Sequence, residues 1–185
     1  MPKEIEIKFR IENLPALTQS LKRAGFKQIT RSTHESNALY DLPGQKLRKR
    51  DEMLRLRKYG ETWTLTHKAK SRASRHKERV ELETRVENGQ QMDAILHALG
   101  FEPTFRYEKY RAEWSDGQGH VVVDETPIGN FGEIEGPPRW IDRTARALGI
   151  NRGDYITQTY APIFFAWKRR TRSRATEMTF RSVKT

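Results

Sequence analysis

Charged and apolar residues alternate over several short stretches of this chain, and the alternation limits the folds that it can adopt. The clearest cases are residues 3–11 (KEIEIKFRI), 53–59 (MLRLRKY) and 77–87 (KERVELETRVE). A period of two residues is typical of a β-strand, because successive side chains point to opposite faces of the sheet. Each stretch therefore predicts a strand with one apolar face and one face that carries both acidic and basic side chains.

The same reasoning along the whole chain predicts many strands and few helices. Strands are expected at residues 3–11, 26–40, 53–59, 62–70, 77–87, 101–114, 119–125 and 128–135, and helices at about 14–24, 89–99, 138–148 and 154–168. Residues 41–52 are expected to form an exposed loop or short hairpin, and residues 71–75 a polar loop. We predict an α+β fold in which an eight-stranded antiparallel β-barrel carries about four helices on its outside.

The charged faces of these strands bear on function. In most antiparallel sheets such a face meets water while the apolar face packs on a core. Here two glutamate pairs, Glu4 with Glu6 and Glu133 with Glu135, each place two carboxylates on one face of a strand. Paired carboxylates suit a hard divalent cation, and arginine and lysine on the other strands suit phosphate oxygens. The pattern indicates a site for a metal ion and a triphosphate.

The net charge of +11 also indicates an anionic partner. More than half of this charge lies at the C-terminal end, where residues 168–185 contain seven Lys or Arg and one Glu. We predict a domain over residues 1–168 followed by a basic, flexible tail over 169–185. A nucleic-acid groove is the competing interpretation, but carboxylates on the same face as the arginines would repel a polyanion.

Several residue types and segments are absent from the sequence. The chain contains no cysteine, which excludes disulfides, thiolate metal sites and cysteine nucleophiles. Its five histidines show no ligand spacing and are interpreted as surface residues. We see no apolar leader and no run of roughly 18 apolar residues, so we expect a cytoplasmic protein that does not contact membranes.

Seven short motifs resemble, in order, those of the CYTH domain. They are residues 4–8 (EIEIK), 54–57 (LRLR), 65–68 (LTHK), 79–83 (RVELE), 109–111 (KYR), 123–124 (VD) and 132–135 (GEIE). The resemblance spans about residues 3–165. This family, the triphosphate tunnel metalloenzymes, includes class IV adenylate cyclases, thiamine triphosphatases and tripolyphosphatases. The resemblance implies an eight-stranded tunnel whose charged face points inward, which reverses the usual arrangement.

The resemblance also implies roles for individual residues. The metal side would comprise Glu4, Glu6, Asp124, Glu133 and Glu135, with Mg²⁺ or Mn²⁺ as the cofactor. The triphosphate side would comprise Lys8, Arg55, Arg57, Lys68, Arg79 and Arg111. The catalytic group would comprise Lys8, Arg57 and Glu81. Glu81 and Glu83 would orient arginines or share a second metal, while Glu83 and Lys109 could equally be ion-pair partners and nothing more.

The resemblance is closest to the class IV adenylate cyclase branch, which implies conversion of ATP to cyclic AMP and pyrophosphate. An inorganic tripolyphosphatase or another triphosphate phosphohydrolase is the alternative, and a non-catalytic polyphosphate or nucleic-acid binding module is the second. Two departures matter: Lys68 is followed by Ala69 rather than by Gly-Pro, and Leu39 replaces a tyrosine that thiamine triphosphatases carry. The second departure argues against thiamine triphosphate as substrate. A homodimer is left open.

Overall fold

The computed structural model describes residues 3–70 and 77–184. The predicted loop 71–75 lies outside these residues, and so do the side chains of residues 3, 4, 77 and 78. Eight strands form one sheet: β1 (Lys3–Ile11), β2 (Lys27–Asp41), β3 (Met53–Tyr59), β4 (Thr62–Lys68), β5 (Lys77–Val86), β6 (Glu102–Ser115), β7 (His120–Thr126) and β8 (Gly129–Glu135). All eight predicted strands are confirmed, with ends that differ by at most two residues.

The sheet closes on itself as an antiparallel barrel, as predicted. Its strand order is β1-β5-β4-β3-β2-β6-β7-β8, and pairing of β8 with β1 completes the circle. β1 serves two neighbours with different parts of its length: its first residues, Lys3 to Glu6, pair with β5, and those from Glu6 to Ile11 pair with β8. The second half of β1 therefore has one edge that β5 does not cover.

Six helices accompany the barrel: α1 (Leu14–Arg23), α2 (Lys46–Lys49), α3 (Gly89–Ala98), α4 (Pro138–Ala147), α5 (Tyr160–Thr171) and α6 (Phe180–Val183). A short 3₁₀ helix spans Arg152–Asp154. The side chains of Asn13 and Asn88 cap α1 and α3, because each accepts a hydrogen bond from a backbone N–H three residues later. Within the described residues, no helix combines the length and apolar character needed to cross a bilayer.

The apolar faces of the strands point outward and are covered by helices. Residues of β1, β7 and β8, including Ile7, Val121 and Ile134, pack with Leu21 of α1 and Ile141 of α4. These five side chains are completely buried. The charged faces of the same strands consequently point into the barrel, as the family resemblance implies.

α5 fills one end of the barrel interior. Phe105, Tyr107 and Phe131 share the inner faces of their strands with charged residues and pack against Tyr160 and Phe164 of α5. The helix begins six residues later than predicted. The prediction of a helix from residue 154 was wrong because Ile156 exchanges two backbone hydrogen bonds with Lys8, along the edge of β1 that β5 leaves uncovered.

The loop 41–52 is also more ordered than predicted. Its centre forms α2, whose first backbone N–H groups donate to the carboxylate of Asp41, from Leu47 at 2.8 Å and Arg48 at 3.0 Å. Leu47 is buried beneath this turn. A buried carboxylate thus fixes a segment that is otherwise strongly basic.

The basic C-terminal segment packs on the barrel, which corrects the expectation of a flexible tail with few contacts. Met178 is completely buried, and its backbone exchanges hydrogen bonds with Arg106 and Glu108 of β6. The physical reason is again an uncovered strand edge. β7 pairs with β6 only between Tyr110 and Ser115, so the first half of β6 offers unpaired backbone groups that the segment satisfies.

We predict that Met178→Ala lowers the free energy of unfolding by about 2–4 kcal/mol, because it opens a cavity in a fully buried position. Thr176→Ala, an exposed position in the same segment, is the matched control and should change the unfolding free energy little. Urea unfolding followed by circular dichroism measures both. Equal stability of the Met178 variant and the unmodified protein would mean that the segment does not dock in solution.

Candidate active site

A cavity of about 530 Å³ runs through the barrel, and we call it the tunnel. All eight strands contribute to its lining. Eleven of the residues that the sequence analysis singled out line it: Glu6, Lys8, Arg55, Arg57, Lys68, Glu81, Glu83, Lys109, Arg111, Glu133 and Glu135. Arg79 and Asp124 are buried beside the tunnel and do not line it, and the side chain of Glu4 lies outside the described residues.

One group of charged side chains closes the tunnel on the side of β1, β6, β7 and β8, and we call it the floor cluster. It consists of Lys8, Glu35, Lys109, Arg111, Asp124 and Glu133. Asp124 lies at its centre and accepts hydrogen bonds from Lys109 at 2.9 Å and from two nitrogens of Arg111 at 2.7 Å. Glu133 accepts from both Lys8 and Arg111. Three cations and three carboxylates balance in this cluster.

Tyr160 joins α5 to the floor cluster. Its hydroxyl donates to Asp124 at 2.6 Å. The centre of its ring lies 4.7 Å from the ammonium group of Lys8 and 5.0 Å from that of Lys109. A cation close to an aromatic face is attracted by the ring quadrupole, and the attraction grows when water is excluded. Tyr160 therefore holds both lysines and the central carboxylate in place.

The floor cluster is ionised because its members compensate one another. Burial alone would raise the pKa of Glu35, but the charges of Lys109 and Arg111 outweigh it and lower the pKa to about 2. Burial would lower the pKa of Lys8, yet the charges of Glu133 and Glu6 raise it above its usual value. Each charge is thus stable in the interior only while its partners remain.

A second group, which we call the wall cluster, lies on β3, β4 and β5. It consists of Arg55, Arg57, Lys68, Glu81 and Glu83. Arg57 donates to both carboxylate oxygens of Glu83 at 3.1 and 3.0 Å, and Lys68 lies 2.9 Å from Glu81. The cations of this cluster outnumber its carboxylates by one, and Arg79 on the same side adds another positive charge.

The wall cluster and the neighbouring Arg79 also contain buried donors without a hydrogen-bond partner. The Nε atoms of Arg55, which lines the tunnel, and of Arg79, which lies beside it, are buried and have no such partner among the described residues. A buried donor without a partner costs free energy unless a ligand or water satisfies it. Unused donors and excess positive charge together favour this side of the tunnel as the place for phosphate oxygens.

Two carboxylates at the opposite side form the rim of the tunnel. Glu6 and Glu135 are directly opposed on β1 and β8, and Glu133 lies two residues before Glu135 on β8. Their oxygen donors suit Mg²⁺ or Mn²⁺. No group of three carboxylates or imidazoles among the described side chains is already arranged to hold a metal ion. The donor set fits a divalent cation in its chemistry, with Glu6, Glu133 and Glu135 as the candidate ligands.

Asp124 does not fit the metal role that the sequence predicted for it. Its carboxylate is completely buried and receives hydrogen bonds from Lys109, Arg111 and Tyr160. A metal ion there would have to displace several donors from a site without access to the tunnel. We assign Asp124 to the support of the floor cluster.

Sequence reasoning missed Glu35, Tyr107 and Tyr160. Glu35 and Tyr107 lie on the inner faces of β2 and β6, and their positions in those strands could have been found by extending the alternation from Lys109 and across the sheet. Tyr160 gave no such signal. It enters the tunnel from a helix, and its position depends on how α5 packs.

A family model described as the CYTH domain matches residues 2–160. The chain belongs to the CYTH domain family. Proteins of this family are typically enzymes that act on triphosphates and depend on divalent metal ions. The match covers all eight strands and ends at Tyr160.

Individual relatives agree with the family match. A Methanocaldococcus jannaschii protein named “putative adenylate cyclase” is 27% identical over 168 residues, which cover 85% of this chain and 95% of the relative. A Vibrio parahaemolyticus structure of the same description is 20% identical, with a TM-score of 0.77 over 88% of this chain and 97% of the other. A Hippeastrum structure, described as a “putative adenylyl cyclase” with a dominant triphosphatase activity, is also 20% identical, with a TM-score of 0.65 over 88% of this chain and 95% of the other.

Acid should weaken the fold through Glu35. Its pKa is 4.5 in the unfolded chain and about 2 in the fold, so its contribution to stability is present above about pH 5 and is lost as the pH falls towards 2. The shift corresponds to about 3 kcal/mol. We expect the stability difference between the unmodified protein and Glu35→Gln to shrink over this interval in urea titrations. A constant difference would show that Glu35 has an ordinary pKa.

Proposed function

We propose that this protein is a divalent-metal-dependent enzyme that acts on a nucleoside triphosphate, with the adenylate cyclase reaction as its chemistry. In that reaction the ribose 3′-oxygen of ATP forms a bond to the α-phosphorus, the bond to the β,γ-pyrophosphate breaks, and the hydroxyl proton leaves to solvent. The observation that carries the proposal is the tunnel itself. It presents cations with unused donors on one side and opposed carboxylates on the other, in a volume of about 530 Å³ that lies in the usual range of ligand sites.

The wall cluster would bind the phosphate chain. Arg57 lines the tunnel, and Glu83 and Thr64 hold its guanidinium in place, which reduces the reorganisation that charge stabilisation requires. Glu81 contacts Lys68 and Arg55 and would position both. Lys8 forms an ion pair with Glu133 and would connect the floor cluster to the metal ligands of the rim. These roles keep Lys8, Arg57 and Glu81 as the proposed catalytic group.

The rim would hold the metal ion. Glu6, Glu133 and Glu135 are the proposed ligands, and Glu4 remains a predicted one. A bound Mg²⁺ or Mn²⁺ would supply positive charge that offsets the charge of the phosphates and polarises a phosphoryl oxygen. The protein supplies the fixed positions of the carboxylates on two paired strands.

Hydrolysis of a triphosphate is the second candidate function. The Hippeastrum neighbour, described as having a dominant triphosphatase activity, favours it. The same wall cluster could bind a tripolyphosphate while water attacks the terminal phosphorus, because in-line displacement needs the same cations. The two reactions differ in the nucleophile and in the phosphorus attacked, so their products distinguish them.

The decisive experiment offers ATP, tripolyphosphate and thiamine triphosphate to the purified chain with Mg²⁺ or Mn²⁺ and separates the products by chromatography. We expect cyclic AMP and pyrophosphate from ATP. Orthophosphate as the only product would support the triphosphatase instead. If none of the substrates turns over with either metal, the enzyme proposal fails and a polyphosphate-binding module becomes the better interpretation.

Arg57→Ala should raise KM at least about tenfold, because it removes a charge-assisted contact to phosphate. Lys58→Ala is a matched control on the same strand. Lys58 points to the outer face, where it lies over Trp63 and contacts Glu61. Steady-state kinetics at saturating metal measures both variants. Equal KM values for the two would place the phosphates away from the wall cluster.

Glu135→Gln should raise the metal concentration needed for half-maximal activity, since it removes a charged ligand at the rim. Glu61→Gln makes the same change in net charge at an almost fully exposed position and should leave the metal response unchanged. Metal titrations at fixed substrate compare the two. An unaltered response of Glu135→Gln would mean that the metal binds elsewhere.

A further inference from the structure

Glu35, like Asp124, is a deeply buried acidic side chain that the proposed reaction does not use. It lies in the middle of β2, faces the barrel interior and is completely buried. Lys109 lies 3.4 Å from one of its oxygens and Arg111 lies 3.7 Å from the other. Asn37 donates to the first oxygen at 2.9 Å, and the second accepts no hydrogen bond from the described residues. Burial of a carboxylate costs free energy unless opposite charges and hydrogen bonds compensate it.

The charge balance of the floor cluster shows what Glu35 does. Without it, the floor cluster would hold the cations Lys8, Lys109 and Arg111 against Asp124 and Glu133, and its own charge would be +1, although Lys8 also feels the charge of Glu6 at the rim. With Glu35 the cluster is neutral. The excess positive charge of the tunnel then lies in the wall cluster and Arg79. Because β2 pairs with β3, the charge of Glu35 also acts on Arg55 and Arg57.

We propose that Glu35 is a positioning and specificity-determining residue that holds Lys109 and Arg111 against the floor and cancels their excess charge, so that a phosphate chain is bound by the wall cluster alone. This inference rests on the proposed function. One consequence is a limit on the affinity of the tunnel for polyphosphates. A tunnel with a positively charged floor and wall would bind a polyphosphate from both sides, and the product pyrophosphate would dissociate slowly.

Two observations make Glu35 suited to this task. Its pKa of about 2 keeps it charged throughout the physiological range, so the compensation does not vary with pH. Its contacts to Lys109 and Arg111 are ion pairs longer than hydrogen bonds, whereas Asp124 binds both cations directly. Glu35 therefore acts on the floor mainly through charge, and Asp124 mainly through hydrogen bonds.

The test separates charge from shape with two substitutions. Glu35→Gln keeps the shape and removes the charge, and Glu35→Asp keeps the charge and shortens the side chain. Calorimetry measures the dissociation constant of tripolyphosphate without metal at low ionic strength, and thermal melts confirm that each variant is folded. We expect Glu35→Gln to bind about tenfold more tightly than the unmodified protein, and Glu35→Asp to bind like it.

The double variant Glu35→Gln/Lys109→Gln extends the test. It restores a neutral floor, so we expect its affinity to return to that of the unmodified protein, whereas Lys109→Gln alone should bind about tenfold more weakly. If Lys109 were instead a direct phosphate ligand, the double variant would stay weak, and the inference would be overturned. This comparison holds even if Glu35→Gln alone does not fold. Glu61→Gln controls for net charge and should not tighten binding.

The outcomes also distinguish this inference from the proposed function. Tripolyphosphate that binds the unmodified protein but binds a folded Glu35→Gln no more tightly overturns the role of Glu35 and leaves the proposed function standing. Affinity that follows the melting temperatures of the variants, rather than their charge, does the same. Absence of tripolyphosphate binding by the unmodified protein overturns both.

Discussion

Mutual compensation of buried charges is the interaction on which this barrel depends. Its strands turn their charged faces inward, so the interior contains carboxylates, guanidinium groups and ammonium groups instead of an apolar core. A single such charge would cost several kcal/mol in a low-dielectric interior, and the charges of both clusters are tolerated because opposite charges lie within ion-pair distance. The apolar faces then form their core outside the barrel, under α1 and α4. This arrangement leaves room for a tunnel, since charged side chains that must reach one another across a barrel cannot fill it as branched aliphatic side chains would.

The floor cluster and the wall cluster differ in their net charge and in their hydrogen bonding. The floor cluster is neutral and hydrogen-bonded, and Tyr160 closes it, so Asp124 at its centre is not available to a ligand. The wall cluster has excess positive charge, buried donors without partners and carboxylates that line the tunnel. A phosphate chain that enters must compete with Glu81 and Glu83 for the arginines and Lys68. A divalent cation that attracts those carboxylates would lower this competition, and the two ligands would then favour each other's binding by the same factor. Under the proposed function, this pairing would favour a metal-bound triphosphate over either component alone.

The strands could be predicted from the sequence because an alternation with a period of two residues is visible within a few residues and does not depend on the rest of the fold. It did not by itself predict which face is inside. That came from the order of the motifs, and the buried state of Lys8, Arg55 and Asp124 agrees with it. The sequence could not predict the role of each residue. Asp124 was predicted to be a metal ligand, and only the structure shows that Lys109, Arg111 and Tyr160 all donate hydrogen bonds to it. The C-terminal segment was misjudged for a related reason. The composition of the segment gives its charge, but it does not show that the segment's backbone can form hydrogen bonds with the uncovered edge of β6.

That segment also bears on the tunnel. Met178 and Phe164 pack in the same cluster as Tyr107, and the backbone of Met178 bridges to Tyr107 in β6. The hydroxyl of Tyr107 is in turn a hydrogen-bond partner of Arg55. Burial alone would lower the pKa of Arg55, but Tyr107 and the charges of Glu35 and Glu81 outweigh it and keep the pKa above its usual value. One chain of contacts therefore leads from the C-terminal segment, through an aromatic ring, to a cation of the wall cluster. The family match ends at residue 160. Phe164 and Met178, which pack in the same cluster as Tyr107, therefore lie in a part of the chain that the match does not cover. The support of this arginine is therefore not visible in the tunnel motifs.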